Sequence, residues 1–193
     1  MPNRNLWLAL CVLFLVTACS SGPTIRTNVN RSVNFHQYKS FGFFEELDTD
    51  KRYQSLVSQY LKEVTIQEMT TRGFVLVADN PDLLINFHTN VENKQVIRQT
   101  PSTSYGGGYG GYYGYRRSFY YDPLPSYDTY VDNYQEGTLN IDIVDRVQNK
   151  MIWEGVAEGR LSQETLTNLQ PALHRVVGEI FAEFPIPAPV TAK

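Results

Sequence analysis

The chain has 193 residues, enough for one ordinary domain with a single core. Its 42% hydrophobic and 19% charged residues fall in the globular range, which argues against global disorder and against several membrane spans. Seventeen basic and 20 acidic side chains leave a formal charge of −3, and a mildly acidic chain lacks the basic surface that nucleic-acid binding needs.

Residues 1–18 have the three parts of an export signal. Arg4 supplies positive charge, Leu6 to Val16 is an unbroken apolar run, and small residues lead into Cys19. At about 1.5 Å per residue the run covers only about half of a ~30 Å hydrocarbon core, which argues against a permanent spanning helix. Leu15-Val16-Thr17-Ala18-Cys19 resembles the lipobox of bacterial lipoproteins, with an aliphatic residue three before the cysteine and a small one immediately before it. The resemblance implies cleavage between Ala18 and Cys19, diacylglycerol on the Cys19 thiol and often acylation of the new amine. Its implied partners are the membrane and the lipoprotein processing and sorting machinery. Ser20 stands where many enteric lipoproteins carry Asp for inner-membrane retention, so the resemblance implies the outer membrane, facing the periplasm. The alternative is an ordinary secretory signal with a nearby cysteine. Each buried methylene contributes ~0.8 kcal/mol, and two or more acyl chains hold firmly. With Cys11 in the signal, Cys19 is left alone, so neither an intrachain disulfide nor a cysteine zinc site is expected.

Residues 19–32 are polar without helical period and read as a lipidated tether of at most ~40 Å. The domain is expected over 33–185, with a tail at 186–193. Val33, Phe35, Tyr38, Phe41, Phe43 and Phe44 suit a first strand preceded by a turn. Asp48 to Asp50 offers N-cap chemistry for a helix over 51–72, and Gly73 sits where a helix ends in a left-handed residue. Phe74 to Val77 is a short strand, followed by the turn signal Asp79-Asn80-Pro81-Asp82. In the next strand Leu83, Ile85, Phe87, Thr89 and Val91 share one face, and Leu84, Asn86, His88 and Asn90 share the other. Leu139, Ile141 and Ile143 alternate with polar residues in 137–145, and 151–159 reads as the returning arm of a hairpin. Leu173, Val176, Val177, Ile180, Phe181 and Phe184 recur at helical spacing after Pro171, until Pro185 and Pro187 stop the helix. The expected fold is α+β, a two-layer sandwich: a mainly antiparallel sheet of about five strands with two helices on one face.

As a set, several of these residues are similar to a group of envelope lipoproteins known as domain of unknown function 4136. They are Phe35 to Phe41, Arg72-Gly73-Phe74, Asn80 to Ile85, Gly137 to Asp145, Trp153-Glu154-Gly155 and Phe184-Pro185. Members often carry a Gly/Tyr-rich insert too. The resemblance implies a class and a location, with no activity.

Residues 98–134 form such an insert and hold every one of the thirteen tyrosines except Tyr38, Tyr53 and Tyr60. A loop of this length is usually functional or disordered, and its glycines favour mobility. Tyr105, Tyr109, Tyr112, Tyr113, Tyr115, Tyr120 and Tyr121 are the candidate partner-binding residues, since tyrosine gives apolar area with a polar tip for a glycan or an envelope protein. A solvated loop with no partner is the competing reading.

No G-x-S-x-G elbow, HExxH or P-loop is present, and Gly106 to Gly111 neither follows a strand nor opens a helix as a phosphate cradle would. His88 is the one histidine placed for chemistry. If its strand pairs with 139–144, Asn86, His88, Asn140 and Asp142 share a polar sheet face, where a His–Asp pair could bind a ligand or act as a base. The expected function is a non-enzymatic binding or structural component of the cell envelope, without cofactor or metal and not acting on nucleic acid. The alternative is an envelope hydrolase or transferase using His88 and Asp142.

Overall fold

The computed structural model describes residues 22–50, 54–102 and 126–189. Ala18, Cys19 and the seven candidate tyrosines from Tyr105 to Tyr121 lie outside the described residues. Among the described residues six strands occur: β1 Thr24–Val29, β2 Ser40–Phe43, β3 Val75–Leu76, β4 Leu83–Ser102, β5 Ser126–Asp145 and β6 Lys150–Arg160. The helices are α1 Leu56–Thr71, α2 Gln163–Thr167 and α3 Leu169–Ala182, with a 3-10 turn at Phe35–Gln37. The strand order is β1-β6-β5-β4-β2-β3.

The class is α+β, but the sheet has six strands and is mixed, where about five mainly antiparallel ones were expected. β2 runs parallel to both of its neighbours, β3 and β4. The cause is a β-α-β unit: β2 feeds α1, and a helical crossover returns the chain parallel to its start. α1 begins later than the Asp48–Asp50 signal suggests. Ser55 is its N-cap, accepting from the Ser58 backbone N–H at 3.0 Å, while Asp50 accepts from the Ser55 N–H and the Ser58 hydroxyl. Gly73 does take the left-handed conformation after the helix, at φ 89°.

The expected tether contains a strand. In β1, Ile25, Thr27 and Val29 face Ala157, Gly155 and Trp153 of β6, and Arg26 and Asn28 face the other way. Ile25 packs against the core, and Arg26 and Asn28 bond Glu158 and Glu154. Six residues of an edge strand with one half-buried face look merely polar when read alone. The insert also begins later and ends earlier than 98–134. β4 and β5 stay paired from Leu83 opposite Asp145 to Ser102 opposite Ser126. At about 3.3 Å per residue this 20-residue ladder is roughly 66 Å long. β6 leaves β5 after Glu136, and β2 leaves β4 after Ile85, so the outer half is a two-stranded ribbon.

The core lies between the sheet and the two longer helices. Leu83, Ile85 and Phe87 of β4, Ile141 and Ile143 of β5 and Trp153 of β6 are buried there. Leu61, Val64 and Met69 come from α1, and Leu173, Val177, Ile180 and Phe181 from α3. Trp153 packs at a tilt against Phe181 and edge-on against Phe184, with ring centroids 5.6 and 5.2 Å away. Gly155 lets α3 approach β6, because a Cβ there would meet the Ile180 Cγ2 at 2.3 Å.

Candidate functional site

Period-two alternation in β4 and β5 turns Phe87, Ile141 and Ile143 into the core, so Asn86, His88, Asn140 and Asp142 turn outward together. The register sets Asn86 opposite Asp142 and His88 opposite Asn140. The expected polar face therefore forms. The His88 Nε2 is 3.2 Å from the Asp142 Oδ2, a diagonal cross-strand contact.

Two further carboxylates join it. The loop after β2 brings Asp48 over the sheet, with its Oδ2 2.9 Å from the same His88 nitrogen. Asp48 is anchored twice to Asn86: the Asn86 Nδ2 donates to its Oδ2 at 2.6 Å, and its backbone N–H donates to the Asn86 Oδ1 at 3.2 Å. Glu154 stands opposite Asp142 on β6 and accepts from Asn28 of β1 at 2.8 Å and from Asn140 at 3.5 Å. A row of polar side chains thus crosses the sheet from Asp48 through Asn86, Asp142 and Glu154 to Asn28. Asp48, Glu154 and Asn28 escaped the sequence reading. Glu154 alternates with the buried Trp153, which signals an outward face, but its partner depends on register. Asp48 arrives on a loop, whose course no periodicity reports.

Asp142 is only 7% exposed, and its Oδ1 is buried without a hydrogen-bond partner among the described residues. Burial raises its carboxyl above the ordinary value; His88 opposes the rise, and the charges of Glu154 and Asp48 reinforce it. His88 itself has about half its side chain in solvent. Its Nε2 faces two carboxylates at once, one from the strand and one from the loop. Among the described residues no group of three or more His, Cys, Asp or Glu side chains is arranged to hold a metal ion.

A surface depression of about 580 Å³ is lined by Gln170, Pro171, His174 and Arg175 on α3. Another of about 240 Å³ lies between Asn28–Asn30 and Met151–Glu154, and shares Asn28 and Glu154 with the end of the row. His36 is exposed in the 3-10 turn.

Residues 25–186 match the family described as "Domain of unknown function (DUF4136)". No match was found among curated proteins. Among solved structures, the chain is similar to a PDZ domain protein from Parabacteroides distasonis, with 14% identity and a TM-score of 0.53. That match covers 86% of this chain and 37% of the other, so this chain spans little more than a third of that protein. The likeness concerns the fold alone. A PelC dodecamer from Paraburkholderia phytofirmans matches with 8% identity and a TM-score of 0.42, over 82% of this chain and 96% of that one.

Proposed function

The chain belongs to the DUF4136 family, and on that premise we propose that it is a lipid-anchored, non-catalytic binding or structural component of the bacterial cell envelope, held at the outer membrane and facing the periplasm. The supporting observation is the spacing between the lipobox and the fold. β1 begins at Thr24, five residues after Cys19, and is paired to β6 from its first residue. Five peptide units reach at most about 17 Å, so acylated Cys19 would hold the sheet edge against the bilayer. The polar face fits a structural role. Its imidazole fastens the 44–50 loop to β4 through Asp48 and Asn86, leaving Nε2 committed to two carboxylates.

Intact mass of the membrane-extracted protein tests the anchor: the expected product starts at Cys19 and carries two or three acyl chains. Cys19→Ser should leave the membrane fraction; unchanged fractionation and processing would refute the anchor. The seven tyrosines are proposed to meet an envelope protein or glycan, so deleting residues 105–121, which carry all seven, should abolish crosslinking to that partner while the fold survives.

The 3.2 Å contact between His88 and Asp142 favours a second reading, a hydrolase or transferase with His88 as base and Asp142 orienting it. Under that reading His88→Ala loses any envelope activity of the native protein; full retention removes it.

A further inference from the structure

The outer edge of β4 is long and exposed. β2 covers only Leu83–Ile85, and the Asp48 loop sits over Asn86 and His88. From Thr89 to Ser102 the strand has β5 on one side and, among the described residues, no strand on the other. Such an edge is a template for another strand unless charge, a bulge or a covering element blocks it. Lys94, the natural guard, is turned away to Glu136 across the β4–β5 pair. The β5 edge is shielded differently: Arg160 bonds Asp132 at 3.0 Å and lies 4.5 Å over the Tyr134 ring, and the Leu161 N–H bonds the Gln135 carbonyl. A two-stranded ribbon is marginal alone in water, so the outer half of the hairpin gains from a third strand.

We propose that β4 pairs antiparallel with β4 of a second copy of this chain, about a two-fold axis normal to the sheet that passes at Gln95. The charge pattern selects this register. With Gln95 opposite its own copy, Glu92 lies opposite the second copy's Arg98 at both ends, and the Lys94–Glu136 pairs stay intact. A two-fold axis normal to the sheet keeps each face with its like, so residues directly opposed share a face. Centring on Glu92, Lys94 or Arg98 sets a charge against itself, and centring on Val96 sets Lys94 against Arg98. Centring on Asn93 opposes Glu92 with Lys94, but it draws Lys94 off Glu136 and sets His88 against Arg98. In the Gln95 register Asn93 lies opposite Ile97, and the ribbons merge into four strands, β5-β4-β4-β5. Amide pairs already lace one face, Gln95 to Asn133 at 3.1 Å and Gln135 to Asn93 at 3.2 Å, and would continue across the new seam.

Sedimentation equilibrium of the full chain in detergent is expected to show a dimer. Glu92→Arg and Arg98→Glu should each weaken it by about tenfold or more, since each opposes like charges twice. The double variant restores unlike pairs and should recover native affinity, and unchanged circular dichroism of the single variants shows that they fold. Gln95→Cys should form an intermolecular disulfide, while Asn93→Cys should do so only together with Ile97→Cys. A native chain that sediments as a monomer at micromolar concentration overturns the proposal. So does a dimer in which the single and double charge variants weaken alike and Gln95→Cys fails to crosslink.

Discussion

Tyr38 donates its hydroxyl to Asp145 over 2.8 Å, joining the turn before β2 to the end of β5 across 107 positions. The Gln148 backbone N–H and side chain also donate to Asp145, at 2.8 and 3.0 Å, so one carboxylate closes both the β2 entry and the β5–β6 turn. Burial pushes the Asp145 carboxyl up, but these donors outweigh it and hold the group below its ordinary value of 3.8. Burial raises the Tyr38 phenol, with the Asp145 hydrogen bond adding to it.

Tyr38→Phe should therefore lower stability by roughly 1.5–3 kcal/mol at neutral pH, because it removes a donor to a buried charge. The depressed Asp145 contributes stability that is full above 3.8 and is lost as pH falls through the lower folded-state value. The variant should also show a shallower loss in acid. Urea unfolding at neutral pH and at successively lower pH checks both, and a neutral-pH loss under about 0.5 kcal/mol would show the bond to be idle.

Asp142 has the opposite sign. Its folded-state carboxyl is raised, chiefly by burial, so its favourable contribution is full below 3.8 and lost as pH climbs through the folded-state value. Asp142→Asn should flatten that limb and cost little at neutral pH, within about 1 kcal/mol, since an amide replaces a buried charge with one unpaired oxygen. Thermal melts across mildly acidic to neutral pH decide it; a deep loss at neutral pH would mean that the His88 contact outweighs desolvation.

Gly155→Ala is an overpacking test. The new methyl would meet Ile180 at 2.3 Å and the Trp153 ring at 2.5 Å, so a loss of roughly 1–3 kcal/mol is expected. Ile180→Ala alone should cost roughly 2–5 kcal/mol. Their combination should cost less than the sum, because the second change removes one of the two groups that the new methyl strikes. Strict additivity in denaturant melts would contradict the close approach of α3 and β6.

Arg72 links the helices. Its guanidinium is almost buried, donates to the Phe181 carbonyl at 2.7 Å and to the Glu68 carbonyl at 2.8 Å, and lies 5.4 Å over the Phe181 ring. Arg72→Lys keeps the charge and loses the planar fork, so a loss of about 1–3 kcal/mol is expected. Amide exchange at the ends of α1 and α3 should quicken together, and a change confined to α1 would count against the link.

How much of this was legible beforehand follows from where periodicity survives. Inside the body, Leu83, Ile85 and Phe87 alternate cleanly against Asn86 and His88, and so do Ile141 and Ile143 against Asn140 and Asp142. The face shared by His88 and Asp142 was visible for that reason. Beyond Val91 both faces of the ribbon meet water, so alternation fades, and 98–102 and 126–134 read as insert instead of strand. β3 has two residues, too few to carry a pattern, which hid the parallel pairing with β2. Thr24–Val29 looked like a tether because only one face of an edge strand is asked to be apolar. Asp48 reaches His88 through a loop, whose course is set by tertiary packing and carries no local period.

Because Ser102 and Ser126 are neighbours across the ladder, the chain departs and returns at the same address. The joining stretch can be shortened, extended or exchanged for foreign sequence at a closure cost that grows only with the logarithm of its length. A passenger peptide grafted there would be carried clear of the core, making the hairpin a natural scaffold for display.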